Sequence, residues 1–521
     1  MPVAVDSVTT APRSFAWFFC APPAGAVRAL LWAAAAYALC WSLVPPLLVT
    51  SLPLDVIESL GWGHEWQWGY YKHPPLAPWV LELSLRAFGR FGPFLLSQLC
   101  VAATLWLVWR TGLRLTTPAR ALTGAALTLG VAYYTWPALE FNHNIAQMPL
   151  WAALGWAMLA ALQQGRWRDW LWLGLLAGLG LLTKYSVGIL LACLGGYVLL
   201  SPARRVLAGW GPWLALGTAL LVLAPHLHWL WQSGGLPFAY AGGRAAQTGA
   251  ALELRLGALR FALTQLLAHL PLALIVLAAA WPARRGMAPA EAPARWCWHT
   301  RWPGYLLTLA LAPGTLTVVL GLLSGARVRD MWGSPMWAFS GLLLAVLLPT
   351  TVLRRAGPRL ARGLGVWLLL ASLLSAAYLA WGARWRQQPT RTDWPAAALA
   401  AQAQASWQAL SSCPLDVVAG DYWLAGLVAA GPGRPSVLID GDARFSPWVT
   451  AQRLRAHGAL WLWLADATPL APPAPLDALR ADADLVPRDG RWQLPWPRRT
   501  DGQPLSVHWR AYVPRACVRP Q

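Results

Sequence analysis

Between Val27 and Thr50 the chain presents an apolar run long enough to cross a bilayer as a helix, and runs of the same kind recur as far as residue 382. A hydrocarbon core of about 30 Å needs about 20 predominantly apolar residues per helix. Windows near 27-50, 92-109, 121-139, 145-163, 169-183, 185-200, 209-230, 261-280, 304-323, 332-350 and 364-382 meet or approach that length, about eleven in all. Lipid cannot satisfy a backbone N–H or C=O, so windows like these form helices that pack into a bundle. The prediction is a mainly α, polytopic membrane protein with about eleven transmembrane helices. Composition agrees: 57% of the residues are hydrophobic and 12% charged, a balance foreign to soluble domains.

The net charge of +20 raises the question of nucleic acid, but the basic residues fall in short clusters between apolar runs. They lie at Arg110/Arg114/Arg120, Arg166/Arg168, Arg204/Arg205, Arg284/Arg285/Arg295/Arg301 and Arg354/Arg355/Arg359/Arg362. Such clusters orient a membrane protein with these loops in the cytoplasm. No nucleic-acid partner is implied. The assignment holds if Lys184 separates two spans; one bent helix over 169-200 changes the parity. No cleavable signal is evident before Val27, and Val27 to Thr50 reads as a retained first helix. The opposite face then receives Asp55, Glu58, Glu65, Glu82, Glu140, Glu253 and Asp330. Acids contribute little to orientation, so their concentration there asks for a chemical cause.

Residues 1-383 form the transmembrane part on this reading, with an external loop at 51-91, and residues 384-521 form a small extracytoplasmic α/β domain. Short apolar runs at 415-420, 436-440 and 459-465 alternate with helix-like stretches at 394-411, 421-430 and 448-457, and none can span a membrane. In VVAGDYWLAG, Asp421 reads as the N-cap of a strand-to-helix turn. Cys413 and Cys517 bracket this domain and form a disulfide if the fold brings them together in an oxidising compartment. The other cysteines show no metal-ligand spacing. No phosphate loop, dinucleotide fingerprint or nucleophile elbow occurs, so chemistry falls to the loops at the membrane face.

The densest of these is LDVIESLGWGHEWQWGYYKHPP at 54-75. Asp55 and Glu58, one helical turn apart, share a face of any helix there. A carboxylate within reach of a hydroxyl can take its proton as that hydroxyl attacks, which makes Asp55 a candidate base; the bland alternative is a helix cap. Of 41 Lys and Arg residues only Lys72 and Lys184 are lysines. A compact ammonium approaches a phosphate where a guanidinium fork is too wide, so both are candidate phosphate ligands, with snorkelling at a helix end as the alternative. Arg327 and Arg329 form a further cluster, either on phosphate or in a salt-bridged loop with Asp330. Trp68, Tyr70 and Tyr71 either stack on a sugar ring or belong to an interfacial aromatic belt. Asn142, Asn144 and Gln147 suit sugar hydroxyls, though capping and interhelical bonding suit them equally. His226 and His228 read as packing residues.

The run from Asp55 through WGYYKHPPL resembles the first external loop of the family 39 glycosyltransferases, bacterial relatives of the dolichyl-phosphate-mannose protein mannosyltransferases and of the lipid A aminoarabinose transferase. FNHNIAQMPLW at 141-151, GLGLLTKYS at 178-186 and GARVRDMWGSPMW at 325-337 resemble the same family. VVAGDYWLAG at 417-426 and SVLIDGDARFSPW at 436-448 are similar to the appended domain of one bacterial branch. The resemblance implies a GT-C fold, and a sugar moved from a polyprenyl-phosphate donor to a lipid, glycan or protein acceptor on the periplasmic face of a bacterial inner membrane. It places Asp55 at the family's first-loop acid and His73 where some relatives bind phosphate. The family's second acid is absent, because position 56 is Val; Glu58 is the substitute. A divalent metal is compatible with two carboxylates and not specified by them. Two other classes fit the same spans: a transporter or flippase of a polar or lipid-linked substrate, and a non-catalytic scaffold.

Overall fold

A computed structural model describes residues 24-245, 251-284, 301-325, 328-465, 476, 482, 484-499 and 503-520. The stretch before Ala24, the basic residues Arg285, Arg295 and Arg327, and Cys297 lie outside the described residues. Among the described residues helices predominate as far as Trp385, and a five-stranded sheet lies beyond it. Among the described residues five helices are long and apolar enough to cross a membrane, or seven when each of two bent pairs is taken as one span.

Each apolar window contains helix, but three windows read as full spans are broken, the 261-280 window being split between the helices Ala251–Ala268 and Leu270–Arg284. The 121-139 window holds a helix over Pro118–Thr128 followed by 3-10 turns, and the 332-350 window holds Ser340–Leu347 after a 3-10 turn at Asp330–Gly333. The two short helices pack at backbone distance. A Cβ on Gly341 would lie 2.3 Å from the Gly124 carbonyl oxygen, and one on Gly124 would lie 2.6 Å from the Leu342 backbone. Thr128 Oγ1 donates to the Ala338 carbonyl at 3.1 Å across the same contact. Small residues and a crossing hydrogen bond are how broken helices are held inside a bundle.

Lys184 does end a helix. Trp167–Thr183 stops there and Val187–Leu200 begins three residues later.

The sheet has strand order β2-β1-β3-β5-β4, with β1 Val417–Gly420, β2 Ser436–Ile439, β3 Ala459–Leu464, β4 Leu485–Leu494 and β5 Leu505–Pro514. β1 pairs in parallel with β2 and β3, while β5 runs antiparallel to both β3 and β4. The first three strands and the intervening helices Tyr422–Ala429 and Ala451–His457 fall where the sequence pattern puts them. Asp421 caps the first of these helices, accepting from the backbone of Trp423 and Leu424. A disulfide joins Cys413 and Cys517, with Cα atoms 5.5 Å apart.

The loop after the first helix is built into this sheet domain. Ile57, Trp62, Tyr70 and Tyr71 share one buried apolar core with Trp394, Trp407, Leu424, Val437 and Val507. The helix Leu54–Gly63 lies against Tyr422–Ala429 so closely that a Cβ on Gly426 would meet Ile57 at 2.6 Å. The backbone N–H groups of Thr50 and Ser51 both donate to the Thr392 carbonyl, at 3.0 and 3.2 Å. Two stretches about 350 residues apart thus form one packed unit.

Candidate active site

Along the helix Leu54–Gly63, Val56, Ile57, Leu60 and Trp62 are buried, and Asp55 and Glu58, one turn apart, share a face. Pro53 occupies the N-cap and no side chain caps the helix, so the capping reading of Asp55 does not apply. Asp55 is part-exposed and, among the described residues, has no partner within hydrogen-bonding or ion-pairing distance. Burial holds its carboxyl above the ordinary carboxylate range, against the attraction of Lys184, Lys72 and Arg329. The three cations that act on Asp55 come from three separate segments.

Lys72 donates to Glu58 Oε1 at 2.5 Å, and the Tyr71 hydroxyl donates to the same oxygen at 3.4 Å. Burial works against the ammonium, but the charge and hydrogen bond of Glu58 outweigh it and hold Lys72 above its usual range. Lys184 sits in the break between two helices and donates to Asn144 Oδ1. Burial pushes it down to about 8, with Asp55 opposing. The two lysines therefore differ: one is a fixed cation and the other titrates near neutral pH.

Several expected ligands have other duties. Tyr70 is fully buried, stacked on Trp62 with centroids 5.6 Å apart, and Tyr71 is buried against Phe445 at 4.4 Å. Neither offers an open face to a sugar, because the sheet domain covers them. Trp68 is exposed, edge-on to Trp79. Asn142 caps the helix His143–Gln164, and Gln147 accepts from Trp151 and Ser186, both at 2.9 Å. His73 lies 4.0 Å from His143, ring centroid to ring centroid. Burial, then His143, Lys184 and Lys72, drive it well below its ordinary range, so it is a neutral imidazole and supplies no charge to a phosphate. Arg329 is exposed, whereas Arg327 is outside the described residues. His226 is buried and bridges the Trp68 carbonyl at 2.6 Å and the Tyr185 hydroxyl at 3.0 Å, in keeping with a packing role.

Two features escaped the sequence. Glu140 is pushed up to about 8 by burial and then by Asp55, which makes it a neutral acid near the candidate base. Its position among the acids of one face was the only available signal. Tyr422 and Tyr240 place their rings 4.6 and 5.4 Å from Lys72 Nζ, and nothing in the local sequence connects them to it. No three His, Cys, Asp or Glu side chains among the described residues converge as metal ligands. Glu58 is already committed to Lys72, so the Asp55/Glu58 pair does not fit a divalent ion.

Residues 72–229 match the family described as dolichyl-phosphate-mannose-protein mannosyltransferase. That segment takes in Lys72, Glu140, Asn144 and Lys184, and begins after Asp55 and Glu58. By sequence, no curated protein matches the chain. The structure is similar to ArnT from Cupriavidus metallidurans bound to undecaprenyl phosphate, at TM-score 0.59 and 14% identity over 92% of this chain and 98% of that one. It is also similar to ArnT from the same organism in the apo state, at TM-score 0.55 and 14% identity over 95% and 100%. The apolar helices and this likeness of fold describe a multi-pass membrane protein with the GT-C architecture. Within that architecture the fold is similar to that of ArnT, small C-terminal sheet included.

Proposed function

We propose that the protein transfers a sugar from a polyprenyl-phosphate donor to a hydroxyl of a lipid or glycan acceptor, with inversion, and that Asp55 is the general base. The observation that carries the reading is Asp55 itself, a part-exposed carboxylate unpaired among the described residues and acted on by Lys72, Lys184 and Arg329. Paired charges are the rule where acids and bases only hold a structure together, and a free carboxylate among three cations has room for a ligand. The fold shared with an ArnT bound to undecaprenyl phosphate supports the donor class.

In the step proposed, the acceptor oxygen attacks the anomeric carbon and its proton passes to Asp55. The bond from that carbon to the phosphate oxygen breaks, and polyprenyl phosphate leaves with the electron pair. Proton removal in the transition state contributes about 10²- to 10⁴-fold. The leaving group is already a stable anion, so cations serve it better than an acid does. Lys72 supplies a permanent positive charge and Lys184 one that persists below about pH 8. A single displacement on this geometry inverts the anomeric centre. We place the site and the sheet domain, residues 384-521, on the periplasmic face of an inner membrane, in line with the disulfide.

The test is transfer by the purified protein from radiolabelled polyprenyl-phosphate sugars to a membrane lipid extract, beside Asp55→Asn. Transfer by the native chain and its loss by about 100-fold or more in the variant is the expected result. Full activity in a folded Asp55→Asn protein would sink the base assignment. No donor consumed or bound by the native chain would move the transporter reading ahead.

A further inference from the structure

The Lys72 ammonium is held in a pocket made by both parts of the molecule. Glu58 takes one of its three N–H donors at 2.5 Å. Three aromatic rings also approach it: Tyr422 at 4.6 Å from Nζ to ring centroid, Tyr71 at 5.1 Å and Tyr240 at 5.4 Å. These rings belong to three distant segments. Tyr71 is Lys72's neighbour in the first loop, Tyr240 lies on the helix Leu236–Ala245, and Tyr422 begins the helix that packs on Leu54–Gly63 from the sheet domain. Phe445, also of the sheet domain, backs Tyr71 at 4.4 Å, and Tyr240 meets Tyr71 edge-on at 5.2 Å. Tyr422 has the shortest approach of the three, and its helix is fixed from behind by the cap at Asp421.

Ring faces attract an ammonium without using up its N–H donors. A lysine with one carboxylate and three rings is therefore confined in position while two donors stay available for an anion. Four direct hydrogen bonds would confine it equally well and leave it nothing to offer.

We propose that Tyr422 is a positioning residue for Lys72, so that the C-terminal domain completes the anion site of the membrane domain. The first consequence is that the ring, not the hydroxyl, does the positioning, because no hydrogen bond links Tyr422 to Lys72. The second is that the domain cannot be displaced from the loop without releasing Lys72.

The small number of lysines gives a direct test. Protein labelled with 13C at lysine Cε in detergent micelles shows two lysine resonances, from Lys72 and Lys184, and Lys72→Arg assigns them. In the native chain the ring faces shift the Lys72 signal away from the free-lysine position. Tyr422→Leu is expected to move it back while Lys184 stays in place, and Tyr422→Phe to leave both unmoved. The Lys184 signal also serves as the control for folding. Undecaprenyl phosphate is the probe for affinity, and its dissociation constant is expected to rise about 3- to 10-fold in Tyr422→Leu and to stay within about twofold in Tyr422→Phe. An unmoved Lys72 resonance in Tyr422→Leu overturns the proposal, as does a Tyr422→Phe protein that behaves like Tyr422→Leu. The affinity arm rests on the donor reading of the site and the resonance arm does not. If the native chain fails to bind undecaprenyl phosphate while the Lys72 signal responds as expected, the donor reading fails and the positioning role stands.

Discussion

Glu82, at no measurable exposure, is held by two arginines: Arg86 Nε lies 2.7 Å from one carboxylate oxygen, and Arg434 Nη2, in the sheet domain, lies 2.7 Å from the other. This pair ties together chain positions 352 residues apart and stands beside the helix that carries Asp55 and Glu58. Arg86 is half exposed and Arg434 mostly buried, so the second bond contributes more. Removing it with Arg434→Met leaves Glu82 with Arg86 and, at 3.9 Å, His64 Nδ1. The expected cost is about 1.5–3 kcal/mol, the usual range for a hydrogen bond to a charged group. Thermal unfolding in detergent measures it, and an unchanged midpoint would show that the packed core alone holds the domain.

The two limbs of the pH–activity profile come from different groups. Asp55 must be ionised to act as a base, and its raised pKa puts the acid limb above the ordinary range for an aspartate. Lys184 is cationic below about 8 and neutral above it, so donor binding weakens as pH climbs through that value. Stability moves the other way. The unfolded chain keeps its proton to about 10.5 while the folded chain releases it near 8, so between these values the unfolded state binds more protons and folding gains as pH rises. Activity lost on a rising stability curve therefore separates titration of Lys184 from alkaline unfolding. Lys184→Arg is expected to remove the alkaline limb near pH 8, because a guanidinium stays charged. A limb that persists unshifted in that variant assigns it to another group.

Glu140 gives a sharper test of protonation state. At about 8 its carboxyl is neutral through most of the working range and can donate a hydrogen bond that a carboxylate cannot. Glu140→Gln keeps a neutral donor of nearly the same shape. Transfer is expected to fall less than about tenfold in Glu140→Gln and by about 100-fold in Glu140→Ala, if the group bonds a reacting oxygen. Equal losses in both would mean that an ionised Glu140 is needed.

How much of this was legible in the sequence depends on the range over which each feature is encoded. β1, β2 and β3 appear as unbroken Val, Leu and Trp runs bounded by turn residues, and their boundaries fall within a few residues of the pattern. β4 and β5 do not. LVPRDGRWQL carries Pro487, Asp489 and Gly490, and reads as a turn. Pro487 is tolerated because β4 is the edge of the sheet, where a missing N–H costs little. The broken helices at 118–128 and 340–347 were hidden because hydropathy does not distinguish a full span from a half-helix packed against another through Gly124 and Gly341. Asp55, Glu58 and both lysines stood out because their types are rare in their surroundings. Tyr422 did not, because a tyrosine after a helix cap is ordinary, and only the fold carries it across some 350 residues to Lys72.

The disulfide tests the placement of the sheet domain as well as its stability. Cys413 follows the helix Ala396–Leu410 and Cys517 follows β5, so the bond joins the first helix of the domain to its last strand across 104 residues. Closing a loop of that length in the unfolded chain lowers its entropy, and losing the link costs about 2–5 kcal/mol in small secreted domains. The same cost is expected for Cys413→Ser/Cys517→Ser, read as a lower unfolding midpoint. Trp407 donates to the Cys413 carbonyl at 2.9 Å, an interaction the serine variants keep, so the comparison isolates the covalent link. Disulfides persist where the compartment is oxidising. A membrane-impermeant maleimide applied to intact cells is therefore expected to label these two positions only after reduction. Labelling without reductant would mean that the thiols are free, and a requirement for permeabilisation even after reduction would put the domain, and with it Lys72 and Asp55, on the cytoplasmic side.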